Sequence, residues 1–156
     1  MRILSGIVVV TLVFTVGCAG RTATPAAAAG GQAQARMTEA DYDALMKKVG
    51  PTNGSMRMKL MGGMLKDAAT DAQALAGLFG DVEKFWAQHN KQDAVKWAAD
   101  ARTNASEVAG AAAAGDGMKA QTAANNILGS CKQCHGMYRE GDAQSGFRIK
   151  PGTLTE

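Results

Sequence analysis

The feature that most constrains this chain is a five-residue run, CKQCH, at residues 131–135. Two cysteines three positions apart, with a histidine directly after the second, form the C-x-x-C-H pattern of c-type haem attachment. At about 100° per residue, Cys131, Cys134 and His135 lie on one narrow face of a helix. Both thiols can then bond to the vinyl groups of a porphyrin while the imidazole binds its iron. The run therefore predicts one covalently bound haem c, carried on a helix.

Two other uses of this cysteine pair stay open on sequence grounds. A thioredoxin-like dithiol has the same C-x-x-C spacing, but it normally lies where a strand meets a helix. Here Ile127 and Leu128 before the pair and Tyr138 after it indicate the middle of one helix. A structural zinc site normally has four protein ligands, and the remaining cysteine, Cys18, is far away in the sequence. The spacing favours haem.

The N-terminal stretch, residues 1–17, is predicted to be an export signal. A short basic start precedes a predominantly apolar run of fourteen residues at 3–16, too short for a comfortable membrane span. The GCA run at 17–19 resembles the lipobox of bacterial lipoproteins, in which Cys18 would carry the lipid anchor. Thr15 departs from that pattern, where Leu is usual, so ordinary signal-peptidase cleavage is the alternative.

Cysteine usage and charge agree with an exported protein. The chain has three cysteines, one for a lipid and two for haem, which leaves no odd thiol in an oxidising compartment. We therefore expect a periplasmic protein, or one tethered to the periplasmic side of a bacterial membrane only through an anchor at Cys18. Removing Arg2 from the 17 basic residues leaves 16 against 14 acidic ones. That balance predicts no nucleic-acid partner.

The rest of the chain divides into a linker, a domain and a tail. Residues 18–37 are rich in Ala, Gly, Thr and Gln, cannot bury enough apolar surface to offset their ordering entropy, and are predicted to be flexible. Residues 38–140 are predicted to be the folded domain. Residues 141–156 show little periodicity and are predicted to be a tail, with Phe147 and Ile149 packed back onto the domain.

Four amphipathic stretches in the domain predict an all-α fold, an antiparallel four-helix bundle. Pro51 should bend the first helix and Gly80 should weaken the second. No stretch alternates as a strand does, and no hairpin is predicted. The predicted helices are 38–61, opened by a capping box of Thr38 and Asp41; 65–86; a third after an N-cap at Asn90; and 118–140, after a turn at 114–117.

The motif extends beyond its five residues. CKQCHGMYR at 131–139 follows the signature C-K-x-C-H-x-x-Y-R, and with it the chain resembles the class II cytochromes c, the cytochrome c′ family. AAAAGD at 111–116 is similar to the family's turn before its last helix. The resemblance spans residues 38–140 and implies a four-helix bundle. The haem-binding residues that it implies are Cys131, Cys134, His135, Tyr138 and Arg139.

The same resemblance implies a role for the first helix. YDALMKKVG at 42–50 is similar to the family's R-x-x-x-M/L-x-x-x-G stretch, which puts Met46 on the open side of the haem, as second iron ligand beside His135. Tyr42 stands where the family commonly has Arg. Members with Met at this position are six-coordinate and resemble electron carriers. Members with Leu are five-coordinate and bind nitric oxide or carbon monoxide.

The residues alone leave the role of Met46 open. A thioether suits ferrous iron, and Met/His ligation raises the reduction potential. However, the chain has nine methionines, and a Met on an apolar stripe often only packs. Met56, Met58 and Met61 are rivals on the same helix.

The expected function is single-electron transfer through one haem c, by a carrier rather than an enzyme, with redox proteins as partners. The alternative is a five-coordinate binder of nitric oxide or carbon monoxide, in which Met46 packs without bonding iron. A homodimer through the first two helices is a further implication of the resemblance. Trp86 and Trp97 are predicted to pack in the bundle, and His89 to face solvent.

Overall fold

The computed structural model describes residues 36–154. Four long helices are followed by a short β-hairpin. The predicted signal, Cys18 and nearly all of the predicted linker lie outside the described residues. Within 36–154, no helix combines the length and the apolar character that a membrane span requires. The elements are α1 (Glu39–Met61), α2 (Leu65–Gln88), α3 (Gln92–Ala113), α4 (Gly117–Tyr138), β1 (Arg139–Asp142) and β2 (Gly146–Ile149).

The four helices pack against one another, which confirms the prediction of a helical bundle. Loops of three residues join them, so consecutive helices run antiparallel; Tyr42 near the start of α1, for example, contacts Trp86 near the end of α2. Each helix packs closely on the next along the chain, whereas α1 and α4 touch at few points. The bundle therefore has a loose seam between its first and last helices.

All three interhelical loops use the same turn. The second loop residue has a positive φ, as at Gly63 (+72°) and Gly115 (+82°), and the next residue donates its backbone N–H to a carbonyl five positions earlier, the Schellman pattern. These bonds run from Met64 to Lys59 (2.9 Å), from Lys91 to Trp86 (3.2 Å) and from Asp116 to Ala111 (2.9 Å).

The middle loop corrects a prediction. Asn90 has a φ of +57° and ends α2, rather than capping the start of α3. Asparagine tolerates the left-handed region better than most side chains, so the same residue suits either role. Lys91 precedes α3 instead, and its side chain makes no capping hydrogen bond.

The start of α1 matches the predicted capping box. The Thr38 hydroxyl accepts from the backbone N–H of Asp41 (3.2 Å), and the Asp41 carboxylate accepts from the backbone N–H of Thr38 (2.9 Å). Helix α1 continues through Pro51, and α2 continues through Gly80. Buried Phe79 and Val82 on either side of Gly80 hold that part of α2 against the core, which outweighs the weak helix preference of glycine.

The C-terminal residues form a hairpin where the sequence predicted an irregular tail and no strand. Helix α4 ends at Tyr138 rather than at Glu140. Strand β1 then pairs antiparallel with β2, with Arg139 opposite Ile149 and Asp142 opposite Gly146. With only four residues each, these strands are too short to show a period of two in the sequence.

The hairpin is fixed at both ends. In its turn, the Asp142 carboxylate accepts from the backbone N–H groups of Gln144 (3.0 Å) and Ser145 (2.7 Å). At its base, the Lys150 ammonium donates to the carbonyls of Gly136 (3.0 Å) and Met137 (2.7 Å), which are among the unpaired carbonyls at the end of α4. The hairpin is thereby held beside the C-terminus of α4.

Candidate functional site

The seam between α1 and α4 widens into a cavity of about 1040 Å³. All four helices contribute to its walls, and the hairpin forms one side. The lining is mostly apolar, and the volume is at the upper end of the range of about 300–1,000 Å³ that is usual for ligand sites. The cavity lies at the end of the bundle where α4 finishes and α1 begins.

The three residues of the C-x-x-C-H motif line this cavity together. Cys131, Cys134 and His135 all lie on the last two turns of α4, and all three are half-buried. Both cysteines are free thiols. The motif is enclosed in one continuous helix, as the sequence predicted.

The environment of the thiols is unlike that of a reactive dithiol. Burial raises the pKa of Cys131, and burial followed by the neighbouring Cys131 and Asp93 raises the pKa of Cys134 to about 12. Redox-active cysteines instead have lowered pKa values, often at a helix N-terminus, whereas this pair lies close to the C-terminus of α4. These surroundings thus lack the features that activate a disulfide-exchanging pair.

His135 presents a neutral imidazole to the cavity. Burial lowers the pKa of His135, and the positive charge of Arg139 acts in the same direction. The neutral ring is the form that binds a metal ion. Among residues 36–154, no three His, Cys, Asp or Glu side chains are grouped as a metal site; a haem iron takes only its axial ligands from the protein.

Met46 lines the same cavity from α1. Of the four methionines in this helix, it is the one that does so. Met56 is fully buried in the core, while Met58 and Met61 are 62% and 69% exposed. The position implied by the resemblance is therefore the one from which a thioether can reach a group held in the cavity.

Asn53 lies two turns beyond Met46 on the same face of α1 and also lines the cavity. Its side-chain oxygen is buried and has no hydrogen-bond partner within the described residues. A buried acceptor without a donor costs about 1–3 kcal/mol. This atom is therefore suited to a bound molecule or to a water beside one.

Tyr138 closes the end of the cavity between α4 and α3. Its hydroxyl donates to the Asp93 carboxylate (2.6 Å), and its ring centre lies 4.8 Å from that of Trp86. Burial, followed by the hydrogen bond to Asp93, raises the pKa of Tyr138 to about 12. The hydroxyl thus stays protonated and orients the ring in the cavity wall.

Arg139 also lines the cavity, but from the start of β1 rather than from a helix. Its guanidinium lies 4.2 Å from the centre of the Phe147 ring, a cation–π contact across the hairpin. The side chain is exposed. Arg139 therefore places a positive charge at the edge of the cavity.

Sequence reasoning missed part of the wall. The predicted packing residues Trp86 and Trp97 both line the cavity, as does Tyr42, which stands in place of the expected arginine. Tyr42 stacks on Phe85 with ring centres 4.2 Å apart, and its hydroxyl oxygen accepts from the indole N–H of Trp86 (3.1 Å). His89, predicted to be solvated rather than a ligand, is half-buried, with its ring centre 4.9 Å from that of Phe85.

The hairpin itself was not predicted, but the packing of Ile149 back onto the domain was, and it is confirmed; Phe147 is half exposed. Phe147, Arg148 and Ile149 line the cavity from β2. The local signal for this element is in its turn. Asp142 and Ser145, which lie between Gly141 and Gly146, are residue types that suit a tight turn.

Comparisons of the chain with protein-family models, with curated proteins and with solved structures found no match. The function is therefore argued from the chemistry of the cavity and of the motif that it contains.

Proposed function

We propose that this protein is a c-type cytochrome that transfers single electrons, with one haem c held in the cavity between α1 and α4. The observation that carries the proposal is the convergence of Cys131, Cys134, His135 and Met46 on one mostly apolar cavity. Two of these residues suit covalent attachment and two suit iron ligation.

The roles follow from the side chains. Cys131 and Cys134 would hold the haem, since each S–H can add across a vinyl group with formation of one C–S and one C–H bond and no oxidant. His135 and Met46 would bind its iron through nitrogen and sulfur. When bound, the haem supplies the one-electron chemistry of its iron. Haem attachment in bacteria takes place outside the cytoplasmic membrane, so the proposal includes export to the periplasm, with Cys18 as the site of a lipid anchor.

The remaining cavity residues fit the needs of an electron carrier. Phe79, Val82 and Trp86 form an apolar wall that excludes water, which would otherwise reorganise when the iron changes charge. A neutral thioether from Met46 favours the reduced iron and raises the reduction potential. With His135 and Met46 both bound to the iron, little would have to move on electron transfer.

Haem attachment is tested by mass and by the pyridine haemochrome spectrum. We expect protein from cells competent for haem attachment to carry one covalent haem. The double variant Cys131→Ser/Cys134→Ser should carry none, whereas Cys18→Ser, which lies outside the motif, should keep the haem. Wild-type protein with the mass of the bare polypeptide would overturn the proposal.

Iron ligation is tested with Met46→Ala. In the ferric protein, an Fe–S(Met) bond would give a low-spin spectrum with a weak long-wavelength absorption band. We expect the variant to lose this band and turn high-spin, while Met61→Ala, an exposed methionine of the same helix, should keep it. A wild-type spectrum that is already high-spin would instead support a five-coordinate binder, to be examined with nitric oxide and carbon monoxide.

A further inference from the structure

Methionine is concentrated at the end of the bundle opposite the cavity. Six large apolar side chains are exposed among the described residues, and four of them are methionines at this end. Burial of an apolar side chain stabilises a protein. A group of exposed apolar side chains at one place therefore needs a separate explanation. These four are Met58 (62% exposed), Met61 (69%), Met64 (50%) and Met118 (86%).

The fold brings three of these methionines together. Met58 and Met61 are three residues apart in the last turns of α1, where such pairs are neighbours on the helix surface. The Schellman turn then folds Met64 back, because its backbone N–H bonds to the carbonyl of Lys59 (2.9 Å). This turn characteristically brings the side chain of that residue against the last helical turns.

The position of the Met64 side chain agrees with this. Its terminal methyl would lie 3.3 Å from a Cβ added at Gly62, a point that is itself 3.4 Å from the carbonyl oxygen of Met58. Met64 therefore extends over the end of α1 rather than away from it, and a larger residue at position 62 would displace it.

Two positively charged residues beside this group, Lys59 and Arg57, have partners on other helices. Lys59 forms an ion pair with Asp71 on α2 (2.7 Å). Arg57 donates to the backbone carbonyl of Ala124 (3.1 Å) and to the side-chain oxygen of Asn125 (3.1 Å), both on α4. Both of these cations are therefore engaged on other helices, and the three methionines offer neutral sulfur donors; Lys66 and Asp67, at the start of α2, are exposed nearby.

We propose that Met58, Met61 and Met64 form a binding site for Cu(I). Thioethers are soft, neutral ligands, and among the metal ions available to proteins they select Cu(I) over harder divalent cations. Three such ligands on one helix end and its turn can surround one monovalent ion without a carboxylate or a thiolate. The site is separate from the haem cavity and goes beyond the proposed electron transfer.

The test uses the full chain with its methionine methyl groups labelled with ¹³C. Cu(I), supplied anaerobically as its acetonitrile complex with ascorbate present, is titrated against a chromophoric Cu(I) chelator. We expect one equivalent to be taken from the chelator, with the methyl resonances of Met58, Met61 and Met64 shifting together. The triple variant Met58→Leu/Met61→Leu/Met64→Leu keeps the size of the side chains but removes their sulfur atoms, and it should lose this uptake.

Met137→Leu is the matched control, because Met137 is 54% exposed but lies beside the haem motif; this variant should still take up one equivalent. Unshifted methyl resonances, or equal uptake by the triple Leu variant, would overturn the proposal. Copper bound by unmodified Cys131 and Cys134 would leave the three resonances in place. Haem content, measured on the same sample, reports separately on the proposed function.

Discussion

At the scale of single residues, Tyr42 is held in the cavity wall by ring contacts with Phe85 and Trp86 and by a hydrogen bond from Trp86. Trp86 is 1% exposed, and its indole N–H has the Tyr42 hydroxyl as acceptor at 3.1 Å. A Trp ring is usually buried only where its N–H finds such a partner. Tyr42 therefore orients the tryptophan that separates the cavity from the core.

Replacing Tyr42 by Phe should destabilise the protein more than replacing Tyr138 by Phe. The first change removes a buried acceptor and leaves the Trp86 N–H unpaired, at a cost of about 1–3 kcal/mol. The second change frees the carboxylate of Asp93, which is exposed and can bond to water instead. Free energies of unfolding from denaturant titration measure both effects. A larger loss for Tyr138→Phe would contradict this account.

At the scale of elements, the hairpin depends on glycine in a way that the helices do not. Gly141 has a φ of +89°, and a Cβ added there would lie 2.0 Å from the carbonyl oxygen of Gly146. No side chain fits without separating β1 from β2. Gly77, by contrast, lies on an exposed face of α2, with open space around an added Cβ.

Gly141→Ala should open the hairpin and leave the bundle folded. We expect faster hydrogen exchange at the backbone amides of β1 and β2, because their pairing is lost, with unchanged exchange in α2 and α3. Gly77→Ala is the control, and should stabilise the protein by about 0.5–1 kcal/mol. Unchanged exchange in the hairpin of Gly141→Ala would show that the close approach of the two strands is not required.

The elements also show where sequence reasoning succeeds. The four helices and the placing of Cys131, Cys134 and His135 on one helix could be predicted, because helical periodicity and fixed motif spacing are local properties of the chain. Met46 was singled out only through the family resemblance, and the haem-binding roles of all four residues stay predictions. The hairpin could not, since its four-residue strands carry no pattern of their own and are held by contacts with α4. Nor could the role of Asn90 be predicted, because the same side chain suits a helix start and a helix end.

At the scale of the whole molecule, the helices of the bundle differ in how closely they pack, because α1 and α4 touch at few points. Helices α2 and α3 share an extensive contact, and the buried residues of α3 are mostly alanines, whereas α1 borders the cavity along much of its first half. If a haem fills the cavity, as proposed, it takes the place of direct packing between α1 and α4. The cofactor would then be part of the core.

The haem-free variant Cys131→Ser/Cys134→Ser should therefore lose stability unevenly. We expect backbone amides of α1 to exchange faster than those of α2 and α3 in this variant, because local opening follows the weakest packing. In the haem-loaded protein the difference should shrink. Hydrogen exchange measured by mass spectrometry on peptides from each helix tests this, and uniform exchange in the haem-free variant would count against a structural role for the cofactor.

The placement of the two indole rings has an optical consequence. The chain contains two tryptophans, and both Trp86 and Trp97 line the cavity. Excitation energy absorbed by either ring would pass to a porphyrin in the cavity before it could be emitted as light. If a haem is attached as proposed, the protein carries an intrinsic fluorescent reporter: emission should be bright in the haem-free chain and nearly dark in the haem-loaded one, so that attachment could be followed without any added dye.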